Sequence, residues 1–253
     1  MNKLKISILL VFLILLLTPT AVHAVQGNTI IPGINLGVNT SNDPDNVYTS
    51  LQLILLLTVL SLAPAFLILM TSFTRIVIVL SFIRNALATQ QMPPNQVLIG
   101  LALFLTLFIM GPTLEEVNQN ALQPYLDGEL TQNEALDEGA KPFKNFMIKQ
   151  TREKDLLLFM NYTKIEKPEN VNDIPLTVMV PAFAISELRT AFYMGFMIFI
   201  PFLVIDMVVA STLMAMGMMM LPPVMISLPF KILLFILVDG WHLIIQKLLE
   251  SFY

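Results

Sequence analysis

Apolar residues dominate from Leu51 to Gly111, give way to a polar stretch from Glu115 to Asn172, and return from Ile174 onward. The first run opens with LQLILLLTVLSLAPAFLILM, residues 51–70. That is long enough for a helix to cross the roughly 30 Å of hydrocarbon in a bilayer. It continues as TSFTRIVIVLSFIRNALATQQ, in which Arg75 and Arg84 are the only charges between Leu51 and Gly111. The positive-inside rule puts both on the cytoplasmic side of the first span. Met92-Pro93-Pro94-Asn95 predicts a turn, and a second span follows over about residues 96–111, closed by Gly111-Pro112. The apolar run from Ile174 to Pro223 is too long for one span and carries Pro201, which should break it. A simple count gives four spans, about 51–70, 96–111, 185–208 and 224–245. Apolar helices can also bury themselves in protein instead of lipid, so an oligomer would change that count.

The polar stretch has its own periodicity. Leu122, Tyr125, Leu126 and Leu130 recur near helical spacing, as do Phe143, Phe146, Met147 and Ile148, then Leu156, Leu157, Phe159 and Met160. Two or three short amphipathic helices are expected, with solvated charged faces. Of the 32 Lys, Arg, Asp and Glu residues, 19 lie between Glu115 and Asp173. At the start, Lys3 and Lys5 precede an apolar run from Ile6 to Leu17, then Pro19 and Val22-His23-Ala24. A basic start, a short apolar core and small residues before a cut describe a secretory signal peptide. Residues 1–24 are expected to be that peptide, cut after Ala24, and 25–50 a disordered segment outside the cytoplasm. Residues 51–112 then form a first apolar helical hairpin, 113–180 a polar helical insert outside the cytoplasm, and 181–253 a second apolar hairpin.

Composition narrows the function classes. Of 253 residues, 56% are hydrophobic and 13% charged, about half the charged fraction of a soluble domain. The chain is therefore an integral membrane protein or a subunit buried in a membrane complex. Its net charge of -4 argues against nucleic acid as a partner. With no cysteine, disulfides, zinc-thiolate sites and thiol nucleophiles are excluded. No nucleophile–base pair, phosphate loop or metal spacing appears, so no enzymatic role, cofactor or metal is expected. His242 stands alone in DGWH and reads as a packing or interface residue, while Asp239, Gly240 and Trp241 suggest a corner.

The informative polar residues sit inside the apolar segments. Glu187 and Arg189 are two apart and do not face each other on a helix, so each needs a partner elsewhere. Asp206 has no basic residue within ten positions. A buried carboxylate there takes up a proton, finds a cation or hydrogen bond (on a neighbouring chain), or lies at a wet edge. Ala191 with Gly195, and Ser211 with Ala215, have the small-xxx-small spacing that lets helices approach closely. Met214, Met216 and Gly217 lead into Met218, Met219 and Met220, just before Pro222-Pro223. Methionine is unbranched and polarizable. The triplet is either core filler or a flexible gasket that closes a pore yet yields to an arriving chain.

The stretches PAFAISELRTAFYMGF, Pro181 to Phe196, and PFLVIDMVVASTLMAMGMMMLPPVMISLPFK, Pro201 to Lys231, with VDGWHLII and the ending SFY, resemble the FliP family over nearly the whole chain. Tyr193 departs from the pattern, where the family more often carries a longer polar residue. The resemblance implies an all-α subunit of a membrane complex, part of the flagellar type III export gate and of the flagellar basal body in the bacterial inner membrane. It implies a homo-oligomer, a pentamer, joined by FliQ-like and FliR-like subunits and traversed by unfolded flagellar substrates. On matching positions it makes Met218, Met219 and Met220 the pore gate, and Asp206 and Lys231 charged positions where inter-subunit contacts are plausible. The rival class is a proton-coupled or small-solute transporter, which predicts several charges within the spans and a pocket at the midplane.

Overall fold

The structure is a computed structural model that describes residues 44–89, 92–163, 170–218 and 220–253. The expected signal peptide, and residues 25–43 of the segment after it, lie outside these. The chain divides into two compact units, Met1–Leu56 and Leu57–Tyr253. In the first, the described residues are helical from Pro44, so the end of the segment expected to be disordered, residues 44–50, belongs to a helix. All regular structure among the described residues is helical: α1 Pro44–Met70, α2 Phe73–Ala86, α3 Asn95–Val117, a π-helical turn Asn118–Leu122, α4 Gln123–Leu126, α5 Gln132–Gln150, α6 Glu153–Thr163, a 3-10 turn Val171–Asp173, α7 Leu176–Ala215, α8 Pro223–Leu237 and α9 Gly240–Glu250. The fold is all-α, as the apolar and amphipathic patterns require.

Helix α2 is the core of the second unit. Its Ile76, Val79, Leu80 and Ile83 recur at i, i+3, i+4 and i+7, and each is fully buried. They pack with Leu98 and Ala102 of α3, Ala191 and Phe202 of α7, Phe235 of α8, and Ile244 and Leu248 of α9. At 14 residues, α2 is about 21 Å long, too short to cross a bilayer. The long first apolar run is therefore one exposed helix followed by one buried in protein. A second cluster joins the insert to α7: Met147 of α5 and Met160 of α6 pack with Ile174, Val178, Met179 and Phe183. Helix α5 starts in a capping box, where the Thr131 amide and hydroxyl both donate to Glu134 and hold its carboxyl below the usual carboxylate range.

Helix α7 departs from the expected break. It runs for 40 residues straight through Pro181 and Pro201, about 60 Å or twice the hydrocarbon thickness. A proline removes one backbone donor, and in an apolar helix packing by neighbours offsets that loss. Phe202, beside Pro201, is held in the core by α8. Among the described residues, three helical stretches are long and apolar enough to cross a membrane: Leu53–Met70, Asn95–Leu126 and Leu176–Ala215. A fourth arises if α8 and α9, bent by 63°, count as one. The bend is built by Asp239 in the left-handed region at φ 49° and by Gly240, where a Cβ would lie 2.3 Å from the Phe235 ring. Trp241 packs edge-on against the same ring, so the corner read from DGW is present.

Helix α7 packs tightly against α2 at Gly195. A Cβ there would stand 2.5 Å from Cγ and 3.0 Å from Cβ of Phe82, whose ring meets Phe192 edge-on at 5.4 Å. Gly195→Ala should therefore displace Phe82 and cost about 1–3 kcal/mol, the range for overpacking a tight contact. The check is the denaturation midpoint in detergent, with recovery expected when Phe82→Ala is added.

Candidate functional site

Three polar constellations hold α7 in place, and an exposed turn ends it. The first is centred on Arg75, which is buried. Its guanidinium forms a bidentate pair with the buried carboxylate of Glu187, Nε donating to Oε2 at 2.9 Å and Nη2 to Oε1. Nη1 also donates to the backbone oxygen and Oγ of Ser251, at 2.9 and 3.0 Å, and Nη2 to Oε1 of Gln150 at 2.9 Å. The Phe252 ring lies under the guanidinium carbon at 3.9 Å. One side chain thus joins α2, α5, α7 and the segment after α9. This placement removes Arg75 from the loop-charge bias that assigned it to the cytoplasmic side. Arg84 is half-buried and donates to Oδ1 of Asn95 across the α2–α3 connection.

Ser186 forms the second constellation. Its hydroxyl donates to Oδ2 of buried Asp155 at 2.6 Å and accepts from the Arg152 amide at 3.1 Å. Arg152 Nη2 meets the same carboxylate oxygen at 2.5 Å, which fastens the start of α6 to α7. The third constellation lies one hairpin away. Lys231 of α8 is buried and donates through Nζ to Oδ2 of Asp206 at 2.6 Å and to the Ala86 carbonyl at 3.2 Å. The buried Ser227 hydroxyl donates to Oδ1 of Asp206 at 2.5 Å. A cation at the carbonyl end of α2 also complements the helix dipole. Asp206 thus finds its cation in its own chain, 25 residues on, where sequence spacing had favoured a neighbouring chain.

The other predicted residues separate into two groups. Ala191 and Gly195 pack against α2 within the chain. Arg189, Ser211 and Ala215 are exposed, and among the described residues Arg189 has no ionic partner. His242 is also exposed. Gly217, which the sequence grouped with Ala191, Gly195, Ser211 and Ala215 as a small residue for helix packing, has open space around it and instead ends α7. At φ 75° its amide donates to the Met214 carbonyl, and the Met218 amide to the Leu213 carbonyl, the two bonds of a Schellman motif. The chain leaves α7 there and turns into α8 behind Pro222 and Pro223. On this turn Met218 is 42% and Met220 98% exposed, while Met219 lies outside the described residues. Core filling is thereby excluded for Met218 and Met220 within a single chain.

Sequence reasoning missed Arg75, Gln150, Asp155, Ser227 and Ser251 as members of these constellations. Only Arg75 gave a signal, as a charge in an apolar run, and the positive-inside rule explained it away. Among the described residues no cluster of His, Asp and Glu is placed to hold a metal ion.

Comparison with known proteins agrees with this chain along most of its length. The FliP family model matches residues 56–248. The flagellar biosynthetic protein FliP of Bacillus subtilis (strain 168) is 68% identical over 217 residues, covering 86% of this chain and 98% of that protein. The protein of the same name from Pectobacterium carotovorum subsp. carotovorum is 54% identical over 81% of this chain and 79% of its own length. That of Aquifex aeolicus (strain VF5) is 49% identical over 88% of this chain and 92% of its own. The matched region contains the Arg75, Ser186 and Asp206 constellations except for Ser251 and Phe252, and with it the methionine turn: this chain belongs to the FliP family.

Proposed function

We propose that the chain is a component of the flagellar export apparatus and, within it, a pore-forming core subunit of the type III export gate. Copies of it, five on this reading, enclose a channel in the bacterial inner membrane together with FliQ-like and FliR-like subunits. Unfolded flagellar subunits pass through, and the methionine turn seals the channel between passages. No catalytic step is asked of the chain. Residues 1–24 direct it to the membrane, and the insert stands outside the cytoplasm.

Family membership supports the first part of this reading. The exposed methionine turn at the end of a 40-residue apolar helix carries the second. A pore wide enough for an extended polypeptide leaks ions unless something apolar closes it by dewetting. Flexible thioethers close such a gap and still part for cargo of varied shape. The apolar flanks support assembly as well: no described residue of Leu53–Met70 is buried within this chain, and only ten of the 40 residues of Leu176–Ala215 are. Exposed Ser211 and Ala215 leave a close-approach surface unused in the single chain. Asp206 is already satisfied by Lys231 and Ser227, which favours a structural carboxylate over a proton carrier.

Replacing Met218, Met219 and Met220 together with alanine should raise the ion permeability of cells or vesicles holding the assembled complex about ten-fold, if the closed pore is held dry by these side chains. Unchanged permeability in a complex of normal mass would overturn the seal.

A further inference from the structure

The insert carries an apolar groove of about 420 Å³ between the end of α3, the π-helical turn, α4 and the first half of α5. Val117, Ala121, Leu122, Tyr125, Ala135 and Leu136 line it. Gly139 faces Ala121 across the floor, where even a Cβ would sit 3.5 Å away. Leu122, Tyr125 and Leu136 are exposed, although the insert is the charged part of the chain. An apolar patch rimmed by polar residues marks a surface that another protein covers.

Charge identifies the occupant. The elements forming the groove and the turn between α4 and α5 carry Glu115, Glu116, Asp127, Glu129 and Asp137, besides the capping Glu134 and Glu138, which pairs with Lys141, and no Lys or Arg occurs from residue 115 to residue 140. From residue 141 to residue 154 the sign reverses, with Lys141, Lys144, Lys149, Arg152 and Lys154 against Glu153. Helix α6 then presents Lys154, Leu158 and Tyr162 at i, i+4 and i+8, all exposed, Tyr162 at 82%. This is a ridge of one cation and two apolar side chains on one face.

We propose that the Lys154–Leu158–Tyr162 ridge of one copy seats in the acidic-rimmed groove of the next. Groove and ridge are different surfaces of one chain, so the contact is head-to-tail and can repeat around a ring. A groove-to-groove pairing would set carboxylates against carboxylates, which disfavours a two-fold dimer. Leu158 and Tyr162 supply apolar burial, and Lys154 sets register and direction. The inference rests on the oligomeric reading above and deepens it by naming one contact and its polarity.

The chain has no cysteine, so introduced thiols report cleanly. Two full-length variants, Tyr125→Cys and Leu158→Cys, are co-expressed, purified in detergent and oxidised, with native mass measured alongside. A heterodimeric disulfide is expected, with none from Tyr125→Cys alone. Lys154→Glu in the Leu158→Cys chain should cut its yield about five-fold, the effect of a lost surface pair plus repulsion, and Asp127→Lys with Glu129→Lys in the Tyr125→Cys chain should restore it. An oligomer of normal mass with no such disulfide overturns this contact and leaves the oligomeric reading standing. Single copies by mass overturn both. A disulfide from Tyr125→Cys in cells to a chain of different mass overturns a second copy as the occupant.

Discussion

Arg75→Ala should cost about 3–5 kcal/mol, the range for leaving one member of a buried ion pair without the other. That corresponds to a fall on the order of a hundred- to several-thousand-fold in the ratio of folded to unfolded chain. The reason lies in what remains. Glu187 is fully buried, and its carboxylate would keep its desolvation cost while losing a bidentate cation. The Ser251 and Gln150 oxygens would lose their donor, and Phe252 the guanidinium it stacks on. The expected result is loss of folded protein from detergent extracts and a lower unfolding midpoint in the fraction that survives. Arg75→Lys should recover little. Three nitrogens in a plane reach four acceptor groups on three segments, and a single ammonium cannot match that fork. The double replacement Arg75→Met with Glu187→Leu should recover most of the loss, because an apolar pair of similar volume carries no buried charge. If the double variant were as unstable as Arg75→Ala, the cost would lie in the contacts to residues 150 and 251–252 instead of the ion pair.

What the sequence made legible, and what it hid, follows from the range of the interactions involved. Helix α1, the start of α3 and the amphipathic helices α5 and α6 of the insert are local patterns of apolar residues, and they appear where the pattern puts them, whereas the set Leu122, Tyr125, Leu126 and Leu130 falls on a π-helical turn, a four-residue helix and a turn. The corner at Asp239 and Gly240 is likewise a matter of neighbouring residues. Partnership is different. Arg75 and Glu187 are 112 residues apart, and Lys231 reaches a carbonyl 145 residues away, so no spacing rule relates them. Each charge in an apolar run announced that it needed a partner and gave no sign of which. Arg75 was misread because a cation near the end of a span has a second explanation, and the short buried helix α2 that makes the first one necessary continues the apolar run of α1 after only Thr71 and Ser72. Pro201 was misread because a lone proline breaks a helix in water, while α7 is held by packing along its length. For Gly217, sequence showed a small residue after a helical run but not the sign of its φ, which separates a helix-ending residue from a helix-packing one.

Removing the two ends of the Asp206–Lys231 pair should have unequal effects. Lys231 is 2% exposed, whereas the Asp206 side chain is 29% exposed. Lys231→Met leaves a carboxylate that keeps the Ser227 hydroxyl and can draw in water, so the expected cost is about 1–3 kcal/mol, that of an acceptor losing one partner. Asp206→Ala leaves a buried ammonium with only the Ala86 carbonyl, and the expected cost rises to about 3–5 kcal/mol. Unfolding midpoints of the two variants in the same detergent give the order directly, and equal values would mean that the lysine stem swings its charge out to water. Asp206→Leu with Lys231→Met should then be close to the parent in stability. That double variant also separates structure from transport. If the pair only clasps α7 to α8 and to the end of α2, a stable double variant exports flagellar subunits normally. If it folds and assembles yet exports nothing, the charges act in the passage of cargo or protons, and the methionine turn, which follows the end of the helix that carries Asp206, becomes the place to look for what they move.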